Sequence, residues 1–362
     1  MRSAEARPLR RGFTTGACAT AASAAAFEAL LTGRFPDPVA IRLPNGRSVS
    51  FALASHALDG SGAEAAVVKD AGDDPDVTHG ALVAARVERT AIGTGITFRA
   101  GSGVGTVTRP GLPLAVGEPA INPVPRKMIA AALGEVAARF ETSADAVVTV
   151  SIPGGDEIAM RTANPRLGIV GGLSILGTTG IVIPYSCASW IHSIHRGIDV
   201  ARAGGIDRII ASTGRTSEAA VQAMYDAPEI ALIDMGDFAG GMLKYLRAHP
   251  IANLVIGGGF GKLAKLAQGE LDLHSSRSRF DPKVLGRLAR GIGTPEPVAA
   301  AIEACRSAGE ALVIATNAGV AQALVEAVAA GARATALATL AGGTSVEVLV
   351  FDRAGALIGR TS

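Results

Sequence analysis

The sequence of 362 residues is poor in cysteine, in aromatic residues and in net charge. Its three cysteines, Cys18, Cys187 and Cys305, lie far apart without a CxxC pair, which is typical of free thiols in a reducing cytoplasm and not of a disulfide framework. Aromatic residues account for 4% of the chain, and the net charge is +2 with no basic run longer than a pair. Because nucleic-acid binding needs a concentrated basic face, we do not expect it here.

Long apolar runs are missing as well. No stretch reaches about 18 uninterrupted apolar residues, so the sequence predicts no membrane-spanning segment. Arginines near the start (Arg2, Arg7, Arg10 and Arg11) weakly resemble a transit peptide, but Glu5 interrupts them. We therefore expect a cytoplasmic protein.

Apolar residues and glycine are abundant, at 48% of the chain and 45 residues respectively. Single hydrophobic cores stop growing at roughly 250–300 residues, so this length predicts two domains. The pattern of elements changes near residue 190. We expect an α+β domain over residues 1–190 and an α/β domain over residues 191–362.

The first half is predicted to contain helices and strands paired in hairpins. Thr14 and Thr15 can cap an alanine-rich helix that Gly33 closes. Asn45-Gly46 is a favoured type I′ turn, and Gly154-Gly155 predicts a second hairpin. The expected strands cover 39–43, 48–53, 63–69, 80–89, 95–99, 146–152 and 157–161, and a second helix runs from 125 to 140.

The second half alternates short apolar strands with helices, which predicts a mainly parallel sheet covered on both faces. The expected strands cover 208–212, 230–233, 253–256 and 311–315, with a terminal hairpin over 346–351 and 357–360. The expected helices cover 186–203, 217–225, 262–268, 297–307 and 319–330.

The turn Thr213-Gly214-Arg215-Thr216-Ser217 follows the first of these strands, and the next strand ends at Asp234. In dinucleotide and related sites, such a turn approaches the ligand and an acidic residue about 20 positions later holds ribose hydroxyls. Asp234 lies 20 positions after Gly214. The full G-x-G-x-x-G pattern is absent, so an ordinary strand–helix turn remains the alternative.

A second glycine-rich junction, Gly257-Gly258-Gly259, follows the strand over 253–256 and precedes Lys262. It is not a phosphate loop, because Ile256 and Leu263 occupy positions where Gly and Ser or Thr are needed. Its bare amides could meet a carboxylate or a ribose. Close helix–sheet packing explains it equally well.

An acidic loop contains Asp70, Asp73, Asp74 and Asp76, followed by Thr78 and His79. It lacks EF-hand spacing, so Asp-turns are one interpretation, and a proton acceptor or a polar clamp on substrate is the other. Clustered carboxylates raise at least one pKa, which suits a base near neutrality. We choose Asp73 and Asp74 as the candidate catalytic residues, with His79 as the alternative.

Cys187, His192 and His195 could in principle hold a metal ion, because the two histidines are three apart on an expected helix. No fourth ligand is evident, so we predict that the protein binds no metal of its own.

Several segments together resemble the CbiD family, the cobalt-precorrin-5B C1-methyltransferases of cobalamin biosynthesis. The segments that carry the resemblance are 11–16 (RGFTTG), 69–80 (KDAGDDPDVTHG), 101–105 (GSGVG), 121–126 (INPVPR), 172–180 (GLSILGTTG, from Gly172 onward), 212–218 (STGRTSE), 257–262 (GGGFGK) and the stretch that opens at His274. They span nearly the whole chain.

The resemblance implies an α+β domain followed by a Rossmann-like domain. It also implies S-adenosylmethionine as methyl donor and a tetrapyrrole substrate whose cobalt is part of the substrate. The many carboxylates of such a substrate call for Arg forks, Lys and backbone amides. The candidate substrate-binding residues are Thr14, Thr15, Arg126, Lys127, Lys262, Arg277 and Arg279, with Arg11 and Arg166 as further cations. Each of these charges could equally be a solvated surface group.

Two other functions stay open from the sequence. One is an NAD(P)-dependent oxidoreductase that uses the same strand–turn–helix unit, and the other is a tetrapyrrole-binding protein without catalysis. The sequence also leaves open whether the chain forms a homo-oligomer.

Overall fold

The computed structural model describes residues 8–361 and divides into two compact units, the first ending at Cys187 and the second beginning at Ala188. The boundary expected near residue 190 lies close to this division. Arg2, Glu5 and Arg7, on which the transit-peptide comparison depends, lie outside the described residues.

The first unit is built from short strands around two long helices. In chain order its elements are β1 (Gly12–Phe13), α1 (Thr15–Thr32), β2 (Val39–Arg42), β3 (Ser48–Phe51), β4 (Ser55–Leu58), β5 (Ala63–Val68), β6 (Leu82–Arg89), β7 (Ile96–Ala100), β8 (Thr106–Val107), α2 (Pro123–Arg139), β9 (Ala146–Ser151), α3 (Gly155–Ala159), β10 (Ile169–Val170) and β11 (Ile181–Val182).

Helix α1 is the centre of this unit. Thr14 caps it by accepting a hydrogen bond from the N–H of Ala17 at 3.2 Å, and Gly33 ends it in the left-handed conformation, as the sequence predicted. Most of its residues are buried and small, so α2, β5 and β6 pack closely around it.

The main sheet of the first unit has the order β4-β5-β6-β9-β7. Strand β7 pairs with β9 in parallel, and the other neighbours are antiparallel. The hairpin expected around Gly154-Gly155 is wrong, because residues 155–159 form α3. A Cβ on Gly155 would lie 2.3 Å from the carbonyl oxygen of Gly103, so this glycine permits a close backbone contact.

The hairpin of β2 and β3 is confirmed, but its turn is not type I′. Type I′ requires positive φ at both central residues, and here the N–H of Gly46 bonds to Leu43, so Pro44 and Asn45 are central. Neither has positive φ, whereas Gly46 has φ 82°. Proline fixes φ near −65°, which excludes the mirror-image turn.

The second unit alternates strands and helices. Its elements are α4 (Cys187–Ala203), β12 (Arg208–Ser212), α5 (Arg215–Tyr225), a 3₁₀ turn (Glu229–Ala231), β13 (Leu232–Asp234), α6 (Ala239–Ala248), β14 (Asn253–Gly259), α7 (Phe260–Ala267), α8 (Pro282–Gly291), α9 (Glu296–Glu303), α10 (Ala308–Asn317), α11 (Ala321–Leu340), β15 (Ser345–Phe351) and β16 (Leu357–Thr361).

Its sheet has the order β13-β12-β14-β15-β16, in which the first four strands are parallel and β16 is antiparallel to β15. Successive residues of the strands face opposite sides: Ile209 and Ala211 enter one apolar cluster, and Ile210 enters the other. Both faces of the sheet are therefore covered, as expected from its continuous apolar strands.

The strand expected over 311–315 is wrong, because these residues lie within α10. The hydroxyl of Ser307 accepts the N–H of Glu310 at 3.1 Å, and the carboxylate of Glu310 accepts the N–H of Arg306 at 2.8 Å. This Ser-x-x-Glu signature starts a helix and outweighs the β-favouring Leu312-Val313-Ile314.

Within the described residues, α11 is the one helix long and apolar enough to cross a membrane by length and composition. Its residues Leu324, Val325, Val328 and Ala332 are buried in the apolar cluster of the second unit. Such a core helix passes the same test as a membrane span, so this helix is weak evidence for a membrane.

Candidate functional site

Polar residues and glycines of the second unit gather where its central parallel strands end. In the sheet register, Ser212 of β12 lies beside Asp234 of β13 on one side and Gly257 of β14 on the other. The chain passes from β12 to β13 and then returns to the opposite side of β12 to form β14. This reversal of strand order creates a crevice at the carboxyl ends of β12 and β14, which is where α/β sheets bind ligands.

The turn 213–217 occupies one side of this crevice. Gly214, Arg215 and Thr216 are exposed, and Ser217 is buried with its hydroxyl donating to the carbonyl of Gly214 at 2.8 Å. Helix α5 begins at Arg215, so its first N–H groups face the turn.

The three glycines at the end of β14 have different surroundings. A Cβ on Gly257 would lie 2.7 Å from the side chain of Val221, and one on Gly258 would lie 2.8 Å from the Thr213 hydroxyl. A Cβ on Gly259 would meet nothing within 4 Å. Close packing therefore explains Gly257 and Gly258, whereas Gly259 borders open space.

Lys262, expected to bind substrate, connects two segments of its own unit. Its ammonium donates to the carbonyl of Thr213 at 2.7 Å and lies 3.0 Å from Asp237 Oδ1. It fixes the turn after β12 to the segment after β13.

Trp190 is a residue of this edge that sequence reasoning missed. It lies in the first turns of α4, its indole N–H donates to the carbonyl of Asp234 at 3.0 Å, and it is 46% exposed. Its ring also borders Gly236, and its centroid lies 6.2 Å from that of Phe238. Trp190 is the single tryptophan of the chain, and that rarity could have drawn attention to it.

Asp234 itself is exposed at the end of β13. Arg277 lies at the same edge, with its guanidinium 5.5 Å from the ring centre of Phe238 and its Nε donating to Asp272 at 2.6 Å. The structure thus brings together the turn 213–217, Asp234, Gly259, Lys262 and Arg277.

The first unit contains a small pocket of about 160 Å³ with two charged side chains, Lys69 and Asp76, in its lining. Three segments of the chain meet around it. The N–H of Phe13 donates to the backbone carbonyl of Asp70, and the N–H groups of Thr14 and Gly16 donate to the carbonyls of Gly180 and Leu176. The pocket is lined by Thr14, Thr15, Lys69, Asp76, Val77, Thr78, Thr162, Asn164, Leu173, Ser174, Leu176 and Val182. A wider concavity of about 350 Å³ has one ionisable lining residue, Asp70, and offers less chemistry.

Lys69 is the charged residue of this pocket that the sequence analysis did not select. It is 2% exposed, and its ammonium lies 2.6 Å from Asp76 Oδ2. The other oxygen of Asp76 accepts the N–H and the hydroxyl of Thr78. Burial alone would raise the pKa of Asp76, but hydrogen bonds from Lys69 and Thr78 outweigh it and lower that pKa.

The candidate catalytic residues Asp73, Asp74 and His79 lie on the same loop but do not line the pocket. Asp73 accepts the N–H of Arg10 at 2.6 Å, and Asp74 accepts the N–H of Tyr185 at 2.8 Å. His79 Nδ1 accepts the N–H of Ala71 at 3.1 Å.

The carboxylate Asp70 pairs with the guanidinium of Arg10, whose hydrogen bonds lower the pKa of Asp70 to about 2. The pKa of Asp76 is lowered as well. Neither of these two carboxylates has the raised pKa that we expected for at least one member of the loop. The reason is that each faces a cation and several N–H or O–H donors, which favour the charged form more than neighbouring carboxylates disfavour it.

The remaining candidate cations are scattered. Arg126 donates to the carbonyls of Ile121 and Pro119 and pairs with Glu118 at 2.7 Å, so it supports the start of α2. Lys127 is exposed, and so is Arg279, which lies two residues after Arg277. Arg11 forms an isolated backbone bridge with Gly72, and the carbonyl of Arg166 accepts from Arg109.

The histidines of α4 have local partners. His195 stacks on Tyr245 with ring centres 3.9 Å apart and lies 3.2 Å from the carbonyl of Gly241. Burial, followed by the nearby charge of Arg196, lowers the pKa of His192. Across residues 8–361, no three His, Cys, Asp or Glu side chains form a group able to hold a metal ion. The absence of a metal remains a prediction.

A chain of mixed α/β structure with polar groups collected at strand ends has the architecture of many enzymes that bind small molecules. The sequence model of the family described as CbiD matches residues 2–184, and that of the CbiD C-terminal domain matches residues 272–362. This protein belongs to the CbiD family.

Curated relatives extend the similarity across the gap between the two matched regions. The cobalt-precorrin-5B C(1)-methyltransferase of Brucella anthropi is 56% identical over 360 residues, covering 99% of this chain and 97% of that protein. The protein of the same name from a Bradyrhizobium species is 56% identical over 362 residues, covering 98% and 94%. A crystal structure of the cobalamin biosynthesis protein CbiD from Archaeoglobus fulgidus is 26% identical, with a TM-score of 0.41 over 86% of this chain and 85% of that one.

Proposed function

We propose that this protein transfers a methyl group from S-adenosylmethionine to C1 of cobalt-precorrin-5B, giving cobalt-precorrin-6A in cobalamin biosynthesis. The observation that carries the proposal is the 56% identity, over nearly the whole chain, to relatives named for that methyl transfer. The protein acts in the cytoplasm, its cobalt enters with the substrate, and it needs neither nucleic acid nor membrane.

The second unit is a Rossmann-like domain that holds S-adenosylmethionine at the carboxyl ends of β12, β13 and β14. Asp234 accepts the ribose hydroxyls, the turn 213–217 and the first N–H groups of α5 face the rest of the cofactor, and Gly259 leaves room for close backbone approach. The exposed carboxylate of Asp234, the open space at Gly259 and the strand-order reversal support this assignment.

The chemistry requires little from protein nucleophiles. An electron-rich ring carbon of the substrate attacks the sulfonium methyl group, S-adenosylhomocysteine leaves, and a proton is lost from the ring system. The bound cofactor supplies the methyl group, and the protein positions the two reactants, which can lower the barrier by several kcal/mol. A carboxylate, Asp73 or Asp74, or alternatively His79, accepts the proton.

An NAD(P)-dependent oxidoreductase is the weaker alternative. Its glycine fingerprint is absent from the turn 213–217, and two of the three glycines at the end of β14 are explained by packing against Val221 and Thr213.

The cofactor assignment can be tested by titrating the protein with S-adenosylhomocysteine, NAD and NADP while recording tryptophan fluorescence. The indole N–H of the single tryptophan, Trp190, donates to the carbonyl of Asp234, so a ligand bound at Asp234 should change the tryptophan emission. We expect a saturable change with S-adenosylhomocysteine alone. Binding measured by calorimetry for NAD or NADP but not for S-adenosylhomocysteine would contradict the proposed function.

The variant Asp234→Ala should weaken S-adenosylhomocysteine binding by about ten- to a hundredfold, because a hydrogen bond to a charged group contributes about 1.5–3 kcal/mol. The matched control is Asp207→Ala, which removes an exposed aspartate at the opposite, amino end of β12. Both variants should keep the melting temperature. Equal affinities in the two folded variants would remove Asp234 from the site.

A further inference from the structure

Some hydrogen-bonding groups that line the pocket of the first unit already have partners within the protein, and others do not. Asp76 accepts three hydrogen bonds, one from Lys69 and two from Thr78. The Ser174 hydroxyl donates to Asn164 at 3.2 Å, and the Thr15 hydroxyl donates to the carbonyl of Leu176 at 3.3 Å. The Asp76 carboxylate, the Asn164 amide oxygen and the hydroxyl hydrogens of Ser174 and Thr15 therefore already have partners.

Lys69 and Thr14 each have a donor that is not occupied in this way. The ammonium of Lys69 carries three N–H groups, and within residues 8–361 one acceptor, Asp76, receives a hydrogen bond from it. The oxygen of Thr14 accepts the N–H of Ala17, while its own hydrogen meets no acceptor in the described part of the chain. The pocket thus has N–H and O–H donors to spare.

The position of helix α1 adds to this excess of donors. Thr14 and Thr15, at its first turn, line the pocket, and the 18 residues of the helix direct their N–H groups toward that end. The amino end of a helix carries a partial positive charge that favours an anion. A buried ammonium, spare N–H and O–H donors and a helix amino terminus all favour the same kind of ligand.

We propose that this pocket binds one carboxylate group, held by the Lys69 ammonium and the Thr14 hydroxyl, with Asp76 orienting the ammonium. The pocket volume of about 160 Å³ accommodates a short carboxylate-bearing side chain and excludes a macrocycle. This inference rests on the proposed function, whose tetrapyrrole substrate carries such groups. The carboxylate comes from an acetate or propionate side chain of the tetrapyrrole.

The test uses a double variant, Lys69→Met with Asp76→Leu, in the full-length protein. Replacing both partners of a buried ion pair by apolar residues avoids leaving one charge unpaired, so the fold is expected to survive. The matched control is Lys265→Met in the second unit, which removes another buried lysine, one whose ammonium donates to the carbonyl of Leu273 at 3.0 Å. Melting temperatures are recorded for all variants.

Each protein is then measured in two ways. Its affinity for S-adenosylhomocysteine is determined by calorimetry, and its KM and kcat are determined with enzymatically prepared cobalt-precorrin-5B. We expect the double variant to raise KM by at least about tenfold and to keep its affinity for S-adenosylhomocysteine. A loss of affinity for S-adenosylhomocysteine with an unchanged KM would contradict the carboxylate proposal. Lys265→Met changes neither.

A single variant, Lys69→Met, provides a second measurement should the double variant fold poorly, because Asp76 keeps the hydrogen bonds from Thr78 and partial solvent contact. Normal affinities for both ligands in a folded Lys69 variant would overturn the carboxylate proposal while leaving the proposed function intact. Failure of the unaltered protein to bind either ligand would instead overturn the proposed function.

Discussion

A carboxylate beside a strand end can either hold a loop or accept a proton, and the Asp70–His79 loop combines several of them. Asp70 and Asp76 are tied to the cations Arg10 and Lys69. Asp73 and Asp74 instead accept single backbone N–H groups, from Arg10 and Tyr185. This difference leaves Asp73 and Asp74 with lone pairs for a proton, so they remain our candidates for the base.

The variants Asp73→Asn and Asp74→Asn should separate the two roles. An amide oxygen can still accept the backbone N–H, so melting temperature and affinity for S-adenosylhomocysteine should be retained. Loss of a general base lowers turnover by roughly a hundredfold or more. The same measurement on Asp59→Asn, a carboxylate of the β4–β5 turn, is the control. Near-normal turnover in both test variants would show that the loop is structural.

Lys69 and Trp190 show why some site residues escape prediction from sequence. Lys69 follows the apolar strand β5 and would ordinarily be solvated, and its burial depends on the segment 172–180 and on α1, which are distant in the chain. Trp190 gains its position from Asp234 and Gly236, again far along the chain. By contrast, the positions of Thr14 at a helix cap and of the turn 213–217 and Asp234 at strand ends were predictable, because these are local features.

At the scale of elements, local signals predicted most helices and strands of the second unit, and the errors have local causes. The segment 311–315 was assigned to a strand because Leu312, Val313 and Ile314 favour strands, although Ser307 and Glu310 provide a helix start. In the first unit, Gly154-Gly155 was predicted to form a hairpin turn. Residue 155 is glycine because any side chain there would collide with the backbone of Gly103. That contact joins residues distant in sequence and has no local signal.

The glycines at the end of β14 allow packing and ligand approach to be distinguished within one element. Gly259 has φ −72° and ψ 149°, which alanine adopts readily, so Gly259→Ala should leave the melting temperature unchanged or slightly raised. Its new methyl group would enter open space at the end of β14 and should weaken S-adenosylhomocysteine binding by roughly tenfold, as for one lost hydrogen bond to a charged group.

The companion variant Gly257→Ala places its methyl group against Val221 and should lower stability by about 1–3 kcal/mol, the usual effect of overpacking. Denaturant unfolding and calorimetry on both variants provide the comparison. Unchanged affinity in Gly259→Ala would mean that the ligand does not approach this glycine.

At the scale of the whole molecule, each unit has its own apolar core. The two units differ in the number of carboxyl groups whose pKa is lowered. Among the described residues, the pKa is lowered for four carboxyl groups of the first unit, Asp59, Asp70, Asp76 and Asp145. In the second unit it is lowered for two, Asp272 and Glu296.

This imbalance predicts that acid destabilises the first unit more than the second. A carboxyl group whose pKa is lowered by folding stabilises the native state above its unfolded pKa, about 4, and this stabilisation is lost as the pH falls through the folded pKa. For Asp70 that loss extends down to about pH 2.

Trp190, the single tryptophan, lies in the second unit, so its fluorescence reports on that unit, whereas far-ultraviolet circular dichroism reports on both. On acid titration from pH 7 to pH 2, part of the dichroism should therefore be lost at a higher pH than the fluorescence transition. The variant Asp70→Asn should make the dichroism transition less dependent on pH while leaving the fluorescence transition in place. A fluorescence transition that precedes the dichroism change would contradict the prediction, and coincident transitions in the unaltered protein would show that the two units unfold together.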